Sequence, residues 1–366
     1  MKNNRTFLEK LLDGAEVEWQ PLSKIVTTIT APVKLKREMY CSTGSTPIID
    51  QGEKFIAGYT DENFETIPSN EYIIFGDHSE HIKYINFSFI QGADGLKILK
   101  PKKDNAKYIY YAFQNFYVKE LNYKRHWSSA KETLIPIPPP TVQTEIVKIL
   151  DALTALTSEL TSELILRRKQ YEYYREKLLS FDSLEQLNMG GAKKKLIDVA
   201  IIGTGSRNTN EAIENGIYPF FVRSQEPKKI NEYEFDETAI ITAGDGVGVG
   251  KVFHYISGKY ALHQRAYRIV VTDKNLLPKF LFHYIRNNFA HYLKMTSVNS
   301  SVTSLRKPMF EKYPIFVPTL EEQQRIVSIL DKFETLTNSI TEGLPLAIEQ
   351  SQKRYEYYRE LLLNFS

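Results

Sequence analysis

The chain has 366 residues, 47 Lys+Arg against 44 Asp+Glu, 42% hydrophobic and 25% charged residues. Such a length holds two or three domains of ~100–200 residues, and the composition excludes a wholly disordered polymer. A single cysteine, Cys41, excludes an internal disulfide framework and a multi-cysteine zinc site.

No stretch approaches ~18 consecutive apolar residues, and the opening MKNNRTFLEK lacks the apolar core of a signal peptide, so a cytoplasmic protein is expected. In chain order, Glu71–Phe75 (EYIIF) is an early strand, β-branched and aromatic beside polar turn residues. Asp77-His78-Ser79-Glu80-His81 gathers metal-ligating side chains but lacks the HExxH order, and it reads as a polar surface turn. Pro138, Pro139 and Pro140 then precede a long helix. Alternate steps of four and three from Ile146 visit Leu150, Leu153, Thr157, Leu160, Leu164, Arg167, Tyr171, Tyr174, Leu178 and Phe181, of which only Thr157 and Arg167 are not apolar. That seam of period 3.5 is the signature of a coiled coil, and a helix from Val142 to Phe181 would span ~60 Å at ~1.5 Å per residue.

The second half supplies further strands at Thr238–Thr242 (TAIIT), Lys251–Ile256 (KVFHYI) and Ala266–Thr272 (AYRIVVT). Between the first two lies Gly244–Lys251, GDGVGVGK. Asp245 stands where a phosphate-binding loop needs its first glycine, and Val252 follows the lysine. Lys251 also replaces the third glycine of a dinucleotide fingerprint. Both nucleotide readings fail, leaving a glycine-rich hairpin loop whose tip can approach a partner's backbone. A second long helix closes the chain, and Gly343 and Pro345 predict a kink or break within it.

The two helices are copies. Gln170–Phe181 (QYEYYREKLLSF) and Arg354–Phe365 (RYEYYRELLLNF) agree at nine of twelve positions, and Ile146–Thr157 agrees with Ile326–Thr337 at seven of twelve. The paired blocks occur in the same order, so the chain is two similar halves, about 1–181 and 182–366. The expected fold is α+β. Globular mixed domains over residues 1–135 and 182–313 are followed by spacer helices over 136–181 and 314–366, which pair as an antiparallel coiled coil.

No catalytic constellation emerges. Cys41 with scattered histidines is a weak nucleophile signal, and the Asn/Asp-Pro-Pro-aromatic motif that amino-methyltransferases use around a flipped base is missing. Nucleic acid suits the remaining features. Net charge is +1 over residues 1–135, 0 over 136–181, +5 over 182–312 and −3 over 313–366. Loop-like stretches mix basic, amide and hydroxyl side chains: Lys34–Arg37, Lys100–Lys103, Asn122–Ser129, Gly203–Asn210, Arg223–Asn231, His263–Arg268 and Ser297–Lys307. Arg and Lys can read guanine edges and Gln can read adenine, each good bidentate pair worth about 1–3 kcal/mol of discrimination. The DNA-facing candidates are Lys124, Arg125, Arg207, Arg223, Gln225, Lys228, Lys251, Gln264, Arg265 and Arg306.

Ile135–Asp151 (IPIPPPTVQTEIVKILD) with Tyr171–Leu179 (YEYYREKLL), echoed by Val317–Asp331 (VPTLEEQQRIVSILD) with Tyr355–Leu363 (YEYYRELLL), resembles the DNA-specificity subunit of Type I restriction–modification systems. The resemblance covers the whole chain in architecture and is strongest in the helical repeats. It implies a non-catalytic targeting subunit in which each globular domain reads one part of a split duplex target while the helices act as a ruler. It also implies two methyltransferase subunits as partners, and motor-nuclease subunits beyond them. S-adenosylmethionine, ATP and Mg²⁺ would belong to those partners and no cofactor to this chain. The repeated helix starts, Gln143–Asp151 and Gln323–Asp331, are the expected docking surface, with Gln143, Asp151, Gln323 and Asp331 as its markers. The first copy has Val142, Gln143 and Thr144 where the family usually has Glu-Gln-Gln. An alternative is a coiled-coil scaffold whose globular domains bind protein; it predicts association that does not fall steeply with salt. An enzyme acting alone predicts turnover by the purified chain.

Overall fold

The computed structural model describes residues 7–186, 191–296 and 304–365. It forms two compact units, Met1–Leu160 with Ala347–Ser366, and Thr161–Leu346.

The first unit opens with α1 (Phe7–Leu12), β1 (Glu18–Pro21), α2 (Leu22–Ile25) and β2 (Val26–Ile29). Strands β3 (Thr46–Ile49), β4 (Gly58–Thr60), β5 (Tyr72–Gly76), β6 (Ile82–Ile85), β7 (Ile90–Gln91) and β8 (Leu96–Pro101) follow. Next come α3 (Ala106–Phe116), α4 (Trp127–Ala130), β9 (Leu134–Ile137) and the start of α5 (Pro140–Leu179). Strands β2, β8, β5 and β6 make an antiparallel sheet, β4, β3 and β7 a mixed one in which β3 runs parallel to β7, and β9 pairs with β1. All five residues of β5 are buried, as expected of a short β-branched and aromatic strand covered on both faces. Helix α3 lays Tyr108, Ile109, Ala112 and Phe113 on that sheet, and the Asn105 side chain caps it by accepting from the Tyr108 N–H.

The second unit repeats this plan. The end of α5 leads through α6 (Phe181–Gln186) to β10 (Ala192–Lys195), β11 (Ala200–Thr204), β12 (Tyr218–Phe221) and β13 (Lys228–Ile230). Then come β14 (Phe235–Ala243), β15 (Phe253–Leu262), β16 (Ala266–Val271), α7 (Pro278–Thr296), α8 (Lys307–Glu311), β17 (Pro314–Val317) and α9 (Leu320–Asn338). Strand β15 runs unbroken from its antiparallel partner β14 to its parallel partner β12, so one sheet orders as β11-β16-β14-β15-β12-β13. In the first unit residues 86–89 interrupt the corresponding strand, dividing it into β6 and β7 and splitting the sheet in two.

The long helices are shared out symmetrically. Helix α10 (Leu344–Leu363) returns to the first unit, where Leu362 and Leu363 are buried beside Ile146 and Leu150 of α5. Tyr171 and Leu179 of α5 close the core of the second unit beside Ile326 and Leu330 of α9. Within the first unit the Thr157 and Ser351 hydroxyls lie 2.8 Å apart. Within the second, Tyr171 and Tyr174 pack on Phe333, and Arg168 donates to the Thr337 carbonyl. In both units the helices run antiparallel. The seam positions from Leu153 to Arg167 are partly covered while most of their neighbours are exposed, which is the pattern a 3.5 period produces.

One detail differs from the sequence reading. Helix α5 begins at Pro140 rather than Val142, because a proline at the first helical position loses no intrahelical bond. The second long helix is divided, α9 ending at Asn338 and α10 starting at Leu344. Gly343 sits between them at φ +85, with its ideal Cβ position 2.6 Å from the Thr335 carbonyl oxygen, so only glycine fits there. Pro345 falls in the first turn of α10, where it is harmless.

Candidate nucleic-acid interface

In the second unit, most of the candidate residues converge. The Arg207 N–H donates to the Leu262 carbonyl, the Gln264 N–H to that of Arg207, the Gly244 N–H to that of Arg265, and the Leu305 N–H to that of Gly244. Loops 205–208, 244–252, 263–265 and 304–306 are therefore laced into one surface. Loop 222–226 joins it through Arg223, whose carbonyl oxygen lies 2.7 Å from where a Cβ on Gly248 would stand. Gly244–Lys251 is indeed the connection of an antiparallel hairpin, β14 to β15.

At the centre Asp245 accepts from Arg223 Nη1 at 2.7 Å and from Arg265 Nη1 at 3.2 Å. Burial would raise the Asp245 carboxyl, but the two guanidinium bonds outweigh it and hold the group below the ordinary carboxylate range. Burial and the Arg223 charge push the neighbouring His263 imidazole down, in keeping with its Nδ1 accepting from the Arg265 N–H. Arg223 and Arg265 keep outward faces free for a ligand, being 41% and 63% exposed. Arg207 differs: Glu211 and Glu232 hold its guanidinium at 3.0 and 2.6 Å, so its charge is already balanced within the loop. Gln264 donates to Asn208, while Gln225, Lys228, Lys251 and Arg306 are exposed. Residues 297–303 of the Ser297–Lys307 stretch lie outside the described residues.

The first unit places Lys124 and Arg125 beside the corresponding hairpin turn, in the segment that matches the one leading into Leu305 rather than at the positions of Arg223 and Arg265. Its His126 N–H donates to the Asp77 carbonyl, as Leu305 does to Gly244, and Lys34 bridges Gln91 as Arg207 bridges His263. Lys34 donates to Asp94 at 2.8 Å, and His78 Nδ1 donates to the Lys124 carbonyl at 3.0 Å. Lys124 pairs with Glu120.

The Asp77–His81 segment is a turn, joining β5 to β6, but the surface reading is corrected in part because Asp77 and Glu80 are buried. Asp77 accepts from the Trp127 N–H. Glu80, at φ +56, accepts from the Tyr117 hydroxyl and from the Glu120 and Leu121 N–H groups, with His126 Nδ1 at 3.5 Å. No local sequence pattern marks this clasp, since its partners lie about forty residues downstream. Burial favours the protonated acid, yet the three hydrogen bonds and His126 together lower the Glu80 carboxyl below its ordinary range. A carboxyl lowered on folding stabilises above its unfolded pKa and ceases to do so as pH falls through the folded value. The protection factors of the amides in residues 117–126, taken relative to intrinsic exchange, are therefore expected to fall selectively as pH drops below the ordinary glutamate range, and Glu80→Gln to abolish that pH dependence.

The docking expectation requires correction at Gln143 and Gln323, because both side chains are buried and fully engaged inside their own units. Gln143 accepts from the Asn105 N–H and donates to Asp104 and the Pro138 carbonyl. Gln323 accepts from the Leu277 N–H and donates to the Asn275 and Pro318 carbonyls. The repeated glutamine clasps the loop before α3 or α7 to the start of the long helix, which explains its duplication without a partner. Asp151 binds Lys107 and Tyr111, and Asp331 binds His283 at 2.8 Å with Lys279 at 3.7 Å; both aspartates stay partly exposed. His283, Asp331 and Glu334 lie close enough to hold a cation. Lys279 on Asp331 and Arg286 on Glu334 already balance those carboxylates.

Comparison with known proteins gives the same outline. The family model described as the Type I restriction modification DNA specificity domain matches twice, over residues 17–167 and 190–350. The specificity subunit of the Type I restriction enzymes EcoR124I/EcoR124II of Escherichia coli is 37% identical, over 98% of this chain and 97% of its own length. A putative Type I restriction enzyme specificity subunit of Haemophilus influenzae is 39% identical over the full length of both. Among solved structures, the S subunit of a Type I restriction–modification system from M. genitalium superposes with a TM-score of 0.59 at 16% identity, covering 96% of each chain.

Proposed function

The chain belongs to the Type I restriction–modification DNA-specificity family, and from that premise we propose that its two units each read one half of a split duplex target. The observation that carries this reading is the topological match between the two cationic surfaces. Arg223 and Arg265 in one unit, and Lys124 and Arg125 in the other, flank the same hairpin turn although the surrounding sequences differ. Exposed guanidinium and ammonium groups supply phosphate contacts and guanine readout. Asp245 gives two arginines a fixed fork before DNA arrives, which lowers the ordering cost of binding.

In this reading the protein targets and does not catalyse. Methyltransferase subunits, two per chain, bring S-adenosylmethionine chemistry to adenine, and motor-nuclease subunits bring ATP and Mg²⁺. Docking falls on the duplicated helix segments that remain outside. Tyr173–Tyr174 and Tyr357–Tyr358 form edge-to-face pairs with centroids 5.4 Å apart in both copies, and all four rings are exposed. Two similar partner subunits would thus meet two similar aromatic patches.

A salt titration of duplex binding tests the reading. With about six phosphate contacts, affinity is expected to drop by roughly three orders of magnitude between about 50 and 200 mM salt. Binding that is flat across that range would instead favour a scaffold whose globular units hold protein.

A further inference from the structure

The segment between α3 and α4, residues 117–126, combines features that ordinary loops avoid. Val118, Leu121 and Tyr123 are 81, 84 and 91% exposed, so three apolar side chains within six residues face solvent. Leu121 also adopts φ +55, a left-handed conformation that residues other than glycine seldom take. The loop is nonetheless held firmly at its base. Buried Glu80 accepts the Tyr117 hydroxyl and the Glu120 and Leu121 N–H groups, and buried His126 donates from Nε2 to the Asn122 carbonyl at 2.8 Å. The Tyr123 ring stacks on His78 at 5.4 Å and 18°. Strain and exposed apolar surface on a rigid base indicate a ligand contact rather than slack chain. Lys119, Lys124 and Arg125 surround the tip, while Glu120 is turned to Lys124 and Ser129. That charge selects a polyanion, and the loop adjoins the candidate interface.

We infer that residues 117–126 form a preformed DNA-reading finger, in which Leu121 and the Tyr123–His78 stack make apolar contacts with bases of the half-site read by the first unit and Glu80 with His126 positions them. Apolar side chains recognise thymine methyl groups in the major groove or wedge against a base step. Lys124 and Arg125 anchor the flanking phosphates. Glu80 and His126 touch no DNA and act through the loop. The inference rests on the specificity reading above and adds the contacting residues and the kind of contact.

The test is modification of a randomised duplex library by the complex of the full chain with its methyltransferase subunits, sequenced for methylated adenine. The chains compared are wild type, Tyr123→Ala, Tyr123→Phe and Leu121→Gly. Tyr123→Ala and Leu121→Gly are expected to relax one or two adjacent positions of one half-site by about 10-fold, leaving the other half-site as stringent as before. Tyr123→Phe keeps the ring and is expected to retain discrimination. Leu121→Gly separates reading from stability, because glycine suits φ +55. Its thermal transition should hold or rise while stringency falls, the reverse of a structural role. Unchanged stringency at both half-sites in Tyr123→Ala and Leu121→Gly overturns the finger. So does a Tyr123→Ala chain that binds duplex as the wild type does but no longer assembles with the methyltransferase subunits, which would make the loop a protein contact. A wild-type complex that modifies no split motif would instead reject the underlying specificity reading, before any variant is compared.

Discussion

Replacing Arg223 and Arg265 together by alanine is expected to reduce discrimination at one half-site by about two to four orders of magnitude, since each bidentate base contact is worth about 1–3 kcal/mol. The other half-site should keep its full stringency, because its candidate readers, Lys124 and Arg125, stand in the other unit. The two arginines share Asp245, so their effects should not add. Arg265→Ala alone leaves the 2.7 Å Arg223–Asp245 bond and is expected to lose about 10-fold. The double variant also leaves the Asp245 carboxylate facing phosphate without a counter-charge. Adding Asp245→Asn should therefore recover part of the overall affinity and none of the stringency. Library sequencing with each variant complex measures all three effects.

The second large effect concerns stability. Gln323→Ala removes three buried hydrogen bonds at once and leaves the Leu277 N–H and two carbonyls without partners. The expected cost is about 2–3 kcal/mol to the second unit. Gln143→Ala should cost the first unit a similar amount, since it also loses three bonds, one of them to the Asp104 carboxylate. Both tryptophans, Trp19 and Trp127, lie in the first unit. Tryptophan fluorescence during denaturant unfolding should shift for Gln143→Ala and hardly move for Gln323→Ala, whereas circular dichroism should register both. Arg325→Ala is the control: among the described residues the exposed Arg325 pairs with Glu322 of its own turn, and its loss should stay within about 0.5 kcal/mol. Equal silence of both glutamine variants would mean that the buried amides contribute nothing, returning Gln143 and Gln323 to consideration as docking residues.

These glutamines show where sequence reasoning stops. Their duplication is visible in the sequence and marks them as important, but duplication cannot distinguish a repeated partner from a repeated internal clasp. Only their burial decides it. The long helices are legible because an apolar seam of period 3.5 extends over ten turns in the first copy and its flanking blocks recur in the same order in the second, a signal that no local accident imitates. The β14–β15 hairpin is legible from glycines between two β-branched runs. Leu362 and Leu363 closing the first unit's core are not, because a helix end packing against residues more than two hundred positions earlier leaves no local trace. Among the interface residues, Arg223 and Arg265 stand out by type, whereas their convergence on Asp245 depends on strand register. Arg207 has the same type and sits nearby, yet Glu211 and Glu232 claim it. Glu80 was hidden for the opposite reason: its sequence neighbours resemble a solvated turn, and its ligands come from a distant loop.

The most direct test of two units reading two half-sites is to co-express the chain with its neighbouring methyltransferase subunit in a host lacking such modification, then map N6-methyladenine across that genome by long-read sequencing. The account predicts methylation confined to one motif made of two short specific blocks separated by a fixed run of unread base pairs. A stable complex that methylates a continuous motif, or none, would contradict it.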